Sequence, residues 1–384
     1  MAINTILTLS IDAIQQDYSG HPGLDGMNAA AQFPVMRSIG RALPENYYPQ
    51  ETISAALWNE WGGGGESRAR FERIHRSVGV RGRHLALPME DYRALDSFSK
   101  LNDKWIERAT DLAEEAVDSA LRQADYAPSA IDHIFFTTVT GIASPSIDVK
   151  LINRMPLRSD IKRTPIFGLG CVGGAAGLAR AADYLRAFPT HTAMLVAVEL
   201  CSLTLQRQDK SVANVIASGL FADGAAAVLL TGGARSDGYP SPRIVTSRSM
   251  FFADTEEMMA WRLVDSGFQI VLSAEVPELV RNNLRPAVDS FLGDQGLSRC
   301  DISHWIAHTG GPKVLQAMET ALEIPRCALA RSWKSLAALG NLSSASVLFV
   351  AADLMDSKSA RQGDYGILLS MGPGFCGELV LLQW

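Results

Sequence analysis

Cys171 stands where a nucleophile would be useful. It follows a strand-like run, TPIFGLG (164–170), and opens a helical pattern, CVGGAAGLARAADYL. Unpaired backbone N–H groups and the helix dipole favour an anion at a helix start. The position therefore predicts a thiol pKa below its free value of about 8.5. A thiolate with a histidine in reach is an activated nucleophile. His308 can supply that histidine, because it ends the strand-like HWIAH just before Gly310, Gly311 and Pro312. Asn341 follows Gly340 and opens a second small-residue helix, NLSSASVLFVAADL; on its own it reads as a helix N-cap.

Other chemistries are weaker. His304 and His308 are four apart on a strand and lack the Glu of HExxH, which argues against zinc. The five cysteines form no CxxC, so neither a disulfide framework nor a Cys-type metal site is expected. Cys201, Cys327 and Cys376 lie in apolar runs and read as buried structural thiols. GLGCVG (168–173) does fit G-x-G-x-x-G between a strand and a helix, with Glu199 closing the next strand. A dinucleotide-binding oxidoreductase is the alternative from a different class. The motif lies mid-chain, however, with a Cys in its turn, and that reading leaves a second-half copy unexplained.

That copy is an internal repeat. Ala116-Val117-Asp118-Ser119 recurs as Ala287-Val288-Asp289-Ser290, an offset of 171, and each Ser is followed fourteen residues later by a His, His133 and His304. At offset 170, Ala181-Ala182-Asp183 answers Ala351-Ala352-Asp353, and Cys171 answers Asn341. Helical patterns alternate with the apolar runs HIFFTTV (133–139), TAMLVAVEL (192–200) and AAAVLL (225–230), which argues α/β with a buried sheet. The expected architecture is two similar α/β halves about a pseudo-two-fold axis, which would bring Cys, His and Asn into one pocket. Residues 1–33 read as an irregular extension, 34–236 as the half carrying the Cys, and 237–384 as the half carrying His and Asn. TGGARSDGYPSP (231–242) is the expected joint, and WGGGG (61–65) a turn rather than a phosphate loop, since no Gly-Lys-Ser/Thr follows.

A 384-residue chain is long enough for two or three lobes at about 150 residues each. With 47% hydrophobic and 20% charged residues it can bury a large core. Its net charge of −6 argues against a nucleic-acid or anionic-membrane partner. The N-terminal MAINTILTLSIDAIQQD lacks the basic region of a signal peptide, and no apolar run approaches the ~18 residues of a spanning helix. A reduced, cytoplasmic enzyme without membrane attachment is expected.

GLGCVGGAAGLARAADYL, LFADGAAAVLL, IAHTGGPKVL, GNLSSASVLFV and MGPGFCGELVL together resemble the type III polyketide synthases of the chalcone-synthase-like, bacterial kind, from about Ile39 onward. Initiating-type ketoacyl synthases share the triad and fold, but they usually carry a His-Gln-Ala-Asn type segment where this chain has His308-Thr309-Gly310-Gly311. The resemblance implies a thiolase-like fold in αβαβα layers, a homodimer, acyl-CoA and malonyl-CoA as substrates, and neither metal nor nicotinamide. It implies Cys171 as the acyl-carrying nucleophile, His308 and Asn341 as donors to the malonyl thioester oxygen, and Phe221 of LFADG as a gatekeeper aromatic. Arg70, Arg73, Arg76, Gly310 and Lys313 would line the CoA entrance. Val139, Thr140, Ser144, Cys201, Thr204, Trp261, Ile270 and Ser343 would line the cavity. Cys201, Ile270, Thr309 and the segment Ser370-Met371-Gly372-Pro373-Gly374 depart from the plant pattern.

Overall fold

The computed structural model describes residues 33–61, 68–235 and 241–384. The expected extension up to residue 32, most of the WGGGG turn and residues 236–240 of the joint lie outside the described residues.

The N-terminal half runs β1 (Val35–Ala42), β2 (Asn46–Pro49), β3 (Gly82–Leu85), β4 (His133–Thr138), β5 (Lys162–Phe167), β6 (Thr192–Leu200) and β7 (Asp223–Thr231). The C-terminal half runs β8 (Arg243–Phe251), β9 (Met259–Val264), β10 (Gly267–Leu272), β11 (Ile302–Ala307), β12 (Tyr365–Gly372) and β13 (Cys376–Gln383). Nine of these form one sheet in the order β11-β12-β13-β8-β1-β7-β6-β4-β5, while β2/β3 and β9/β10 are separate antiparallel pairs. Read outward from the β1/β8 seam, β1-β7-β6-β4 and β8-β13-β12-β11 are the same ladder. The first two pairings are antiparallel and the third parallel in both arms. The repeat seen in the residues is thus a repeat of topology. It ends where β5 has no counterpart, because the region 170 residues on is the helix Ala330–Leu339.

The halves pack around two central helices, Gly173–Ala187 and Ser346–Ser357. Their cluster joins Leu178 and Val350 to Leu195 of β6 and Leu368 of β12, so one sheet arm lies on each side of the helix pair. Outer helices cover the other faces. Phe98–Ala124 covers the first arm, presenting the buried stripe Trp105, Ala109, Leu112, Ala113, Ala116, Val117 and Ala120, and Val276–Gly293 covers the second. The result is the expected αβαβα sandwich. β6 and β7 are buried at every residue, as befits strands covered on both faces. β5, at the sheet's end, alternates and leaves Phe167 57% exposed.

Candidate active site

The symmetry carries Cys171 and Asn341 to the ends of the two central helices. Cys171 sits in a short 3₁₀ turn, Gly170–Val172, one step before its helix. Both residues follow a glycine held at positive φ, 53° at Gly170 and 77° at Gly340. A β-carbon at Gly170 would come within 2.8 Å of Pro373, and one at Gly340 within 2.8 Å of the Leu220 carbonyl, so close approach requires glycine at both. Small residues let the helices meet: a β-carbon on Gly174 would stand 2.1 Å from the Ser344 carbonyl oxygen.

The Cys171 thiol is 3.7 Å from the Ser343 hydroxyl, which belongs to a non-glycine residue held at φ 47°. The Cys171 carbonyl accepts from the Ser370 hydroxyl of β12 at 2.6 Å. Asn341 is anchored through its backbone, donating to the Leu220 carbonyl and accepting from the Ala222 amide, both at 2.9 Å. Its Oδ1 accepts from the Ser343 amide at 2.8 Å and the Ser346 hydroxyl at 3.2 Å. A backbone N–H can only be met by oxygen, so the side-chain amide is oriented with its NH₂ left to act as donor near Cys171. That is more than an N-cap.

His308 is buried after β11, its amide bonded to the Leu369 carbonyl at 3.0 Å, and neither ring nitrogen has a partner among the described residues. A buried unpartnered imidazole is costly and therefore informative. Burial lowers its pKa to about 3, so the ring is neutral. Burial also pushes the Cys171 thiol up to about 12, above the opposing pull of Ser343 and Asn341. This corrects the helix-start expectation: desolvation in an apolar chamber outweighs the terminal dipole, and the resting thiol is protonated.

That chamber is the cluster of Cys171, Cys201, Ala217, Phe221 and Ile270, with Trp261 and Leu272 against it. The Phe221 and Trp261 rings lie 6.0 Å apart. Both rings also wall a cavity of about 440 Å³, with Cys201, Thr204 and Ile270, and with Ile53, Leu57, Arg83, Leu85 and Tyr92. Trp261 also walls a second cavity of about 230 Å³ with Val139, Phe167 and Leu263. The helix face at Ile53 and the segment from Arg83 to Arg93 were missed by sequence reasoning, and no local motif marks them.

Several expected positions fall elsewhere. Thr140 lines neither cavity: its hydroxyl donates to Glu199 Oε2 at 2.8 Å and accepts from Trp105 and Leu200. Ser144 is exposed and lines neither, because its segment turns outward into the surface helix Ile147–Arg154. Ser343 is buried at the thiol rather than on a cavity wall. Arg70, Arg73 and Arg76 lie on the exposed face of the helix Arg68–Ser77, with Arg76 3.7 Å from Glu72; Lys313 is exposed at the start of the helix Pro312–Leu322. Gly310 is half-buried beside the His308 ring. Cys327 is exposed on a solvent-facing 3₁₀ turn, not buried, and Cys376 is half-buried. Glu199 is fully buried and also accepts from Ser344 at 2.6 Å, so it is not disposed to hold a ribose. With Pro373 against Gly170, the GLGCVG turn serves helix packing between halves.

The comparisons with known proteins agree. Residues 26–234 match the N-terminal domain, and residues 243–384 the C-terminal domain, of the chalcone and stilbene synthases. The chain is 48% identical over 348 residues to a 1,3,6,8-tetrahydroxynaphthalene synthase of Streptomyces peucetius, covering 90% of this chain and 92% of that one. The solved structure of the 1,3,6,8-tetrahydroxynaphthalene synthase of Streptomyces coelicolor, a bacterial type III polyketide synthase, superposes with a TM-score of 0.86 at 30% identity, over 91% of this chain and 99% of that one. PKS-I from the brown alga Ectocarpus siliculosus gives 0.85 at 25% identity, over 91% and 98%. With both halves matched and the duplicated fold shared, the chain belongs to the chalcone and stilbene synthase family, the type III polyketide synthases.

Proposed function

We propose that the protein extends an acyl group held as a thioester on Cys171 with malonyl-CoA and closes the chain into a cyclic polyketide. Cys171 Sγ attacks the acyl-CoA carbonyl, His308 takes the thiol proton, and the CoA thiolate leaves. Malonyl-CoA then binds with its thioester oxygen toward the Asn341 amide and His308, loses CO₂, and the enolate carbon attacks the Cys171 thioester, releasing the sulfur as leaving group. Phe221 gives the malonyl carboxylate an apolar neighbour, which favours its loss. The observation that carries this reading is a buried imidazole with no partner among the described residues, together with an amide whose oxygen is tied down and a thiol that is itself buried.

The product named for the Streptomyces relatives has ten ring carbons, the number that five two-carbon units supply. Malonyl-CoA alone is therefore the first substrate to test. Arg70, Arg73 and Arg76, with Gly310 and Lys313, are proposed to receive the CoA phosphates, in keeping with the exposed cationic face of the three arginines and the exposed Lys313. A homodimer through the open edge of β5 would cover Phe167, Ile142 and Leu263, which are 57%, 40% and 59% exposed. Neither metal nor nicotinamide enters this scheme. Among the described residues no helix is long and apolar enough to cross a membrane, and a cytoplasmic site of action is proposed.

The test is product mass spectrometry with malonyl-CoA alone and with an acyl-CoA panel, with and without EDTA, for parent and Cys171→Ala enzyme. The parent should give a polyketide unaffected by EDTA, and Cys171→Ala none. Undiminished product from Cys171→Ala, or a requirement for NAD(P)H, refutes the scheme.

A further inference from the structure

Arg83, on β3 in the wall of the large cavity, is only 3% exposed and forms no ion pair with a described residue. A guanidinium in such a place is costly unless its donors are used. Nη1 donates to the Phe221 carbonyl and Nη2 to the Ser218 carbonyl at 2.6 Å; Nε has no partner among the described residues. These two carbonyls belong to the end of the helix Val212–Leu220, where backbone acceptors lack helical partners. The flanking residues Leu220 and Ala222 make the two backbone hydrogen bonds that hold Asn341. The Arg83 side chain also packs by Gly340: a β-carbon there would meet Arg83 Cδ at 3.2 Å. One planar group thus braces the strip that carries both Phe221 and Asn341. The Cys171 backbone is held separately, by Ser370.

We propose that Arg83 is a positioning residue for the malonyl half of the reaction, fixing Phe221 and Asn341 relative to the thioester without touching substrate. The inference rests on the roles given above to Phe221 and Asn341. Lysine cannot replace it fully, because a single ammonium does not span two carbonyls as a guanidinium fork does.

The test uses the whole enzyme and two readouts: CO₂ release from malonyl-CoA, and the alkylation rate of Cys171 by iodoacetamide, followed by peptide mass. Arg83→Gln and Arg83→Lys should each cut CO₂ release by about tenfold or more, the scale of one charge-assisted hydrogen bond, with Lys the milder. Cys171 alkylation should stay within about twofold, since the nucleophile's own supports are untouched. Should Arg83→Gln fail to fold, Arg83→Lys carries the test. Asn341→Ala separates the two ideas. If it lowers CO₂ release while both Arg83 variants match the parent, the inference alone is overturned. If Asn341→Ala itself leaves CO₂ release intact, the underlying reading fails. Equal loss of both readouts in the Arg83 variants, with a lowered Tm, makes Arg83 a structural residue only and also overturns the proposal.

Discussion

Gly174→Ala asks whether the contact between the central helices sets the site. The added methyl would meet the Ser344 carbonyl oxygen at 2.1 Å. A relaxed C···O contact needs about 3.3 Å, so one helix must retreat by about 1 Å. Alanine in a helix gains at most about 1 kcal/mol over glycine, and overpacking costs about 1–3 kcal/mol, so the net stability loss is modest, roughly 0–2 kcal/mol. In a chain of this size that is a Tm drop of a few degrees, about 2–4 °C per kcal/mol. Activity should suffer more. Ser344 is next to Ser343, which faces the Cys171 thiol, and a misplacement of about 1 Å at reacting groups can cost on the order of 100-fold. Gly293→Ala is the control: no atom stands within 4 Å of its would-be β-carbon, so stability should hold or rise slightly. The assay is malonyl-CoA turnover beside calorimetric Tm for both variants. Parent-level turnover in Gly174→Ala would refute the claim that this contact sets the site.

Folding stability should rise with pH between about 3 and 6.5, because His308 and His75 stay neutral down to about 3 in the fold but take a proton at their ordinary pKa when unfolded. Asp223, raised to about 6 by burial, works the other way between its ordinary value and 6. His308→Gln should remove up to about 1.4 kcal/mol per pH unit of that slope, read by urea unfolding from pH 4.5 to 7; an unchanged slope refutes it. Changing Arg70, Arg73 and Arg76 together to Ala should raise KM for malonyl-CoA about tenfold with kcat held and weaken its salt dependence. Identical kinetics across a salt series would leave these arginines as a solvated face. Phe167→Glu should convert a dimer to monomer in analytical ultracentrifugation, and a dimer that persists would move the interface away from β5.

The residues alone carried the duplication, and with it the topology. A repeated order of helix, His-opened strand and small-residue helix can bury its apolar faces in only a few ways, and both arms adopted the same one. They also singled out Cys171, His308 and Asn341 as candidates, because chemistry at a helix start or strand end leaves a local trace in glycines and small residues. What they could not carry was anything set by burial from afar. The thiol's pKa moved up instead of down because side chains from four separate segments remove its water. Thr140 turned to Glu199 rather than to the cavity, and Ser144 to the surface, since a side chain's direction is fixed by the element that meets it. Arg83 is the plainest case: its sequence neighbours are ordinary, and its meaning comes from two carbonyls well over a hundred residues away. Desolvation and hydrogen-bond partnership are properties of the assembled chain, so only the tertiary structure could decide them.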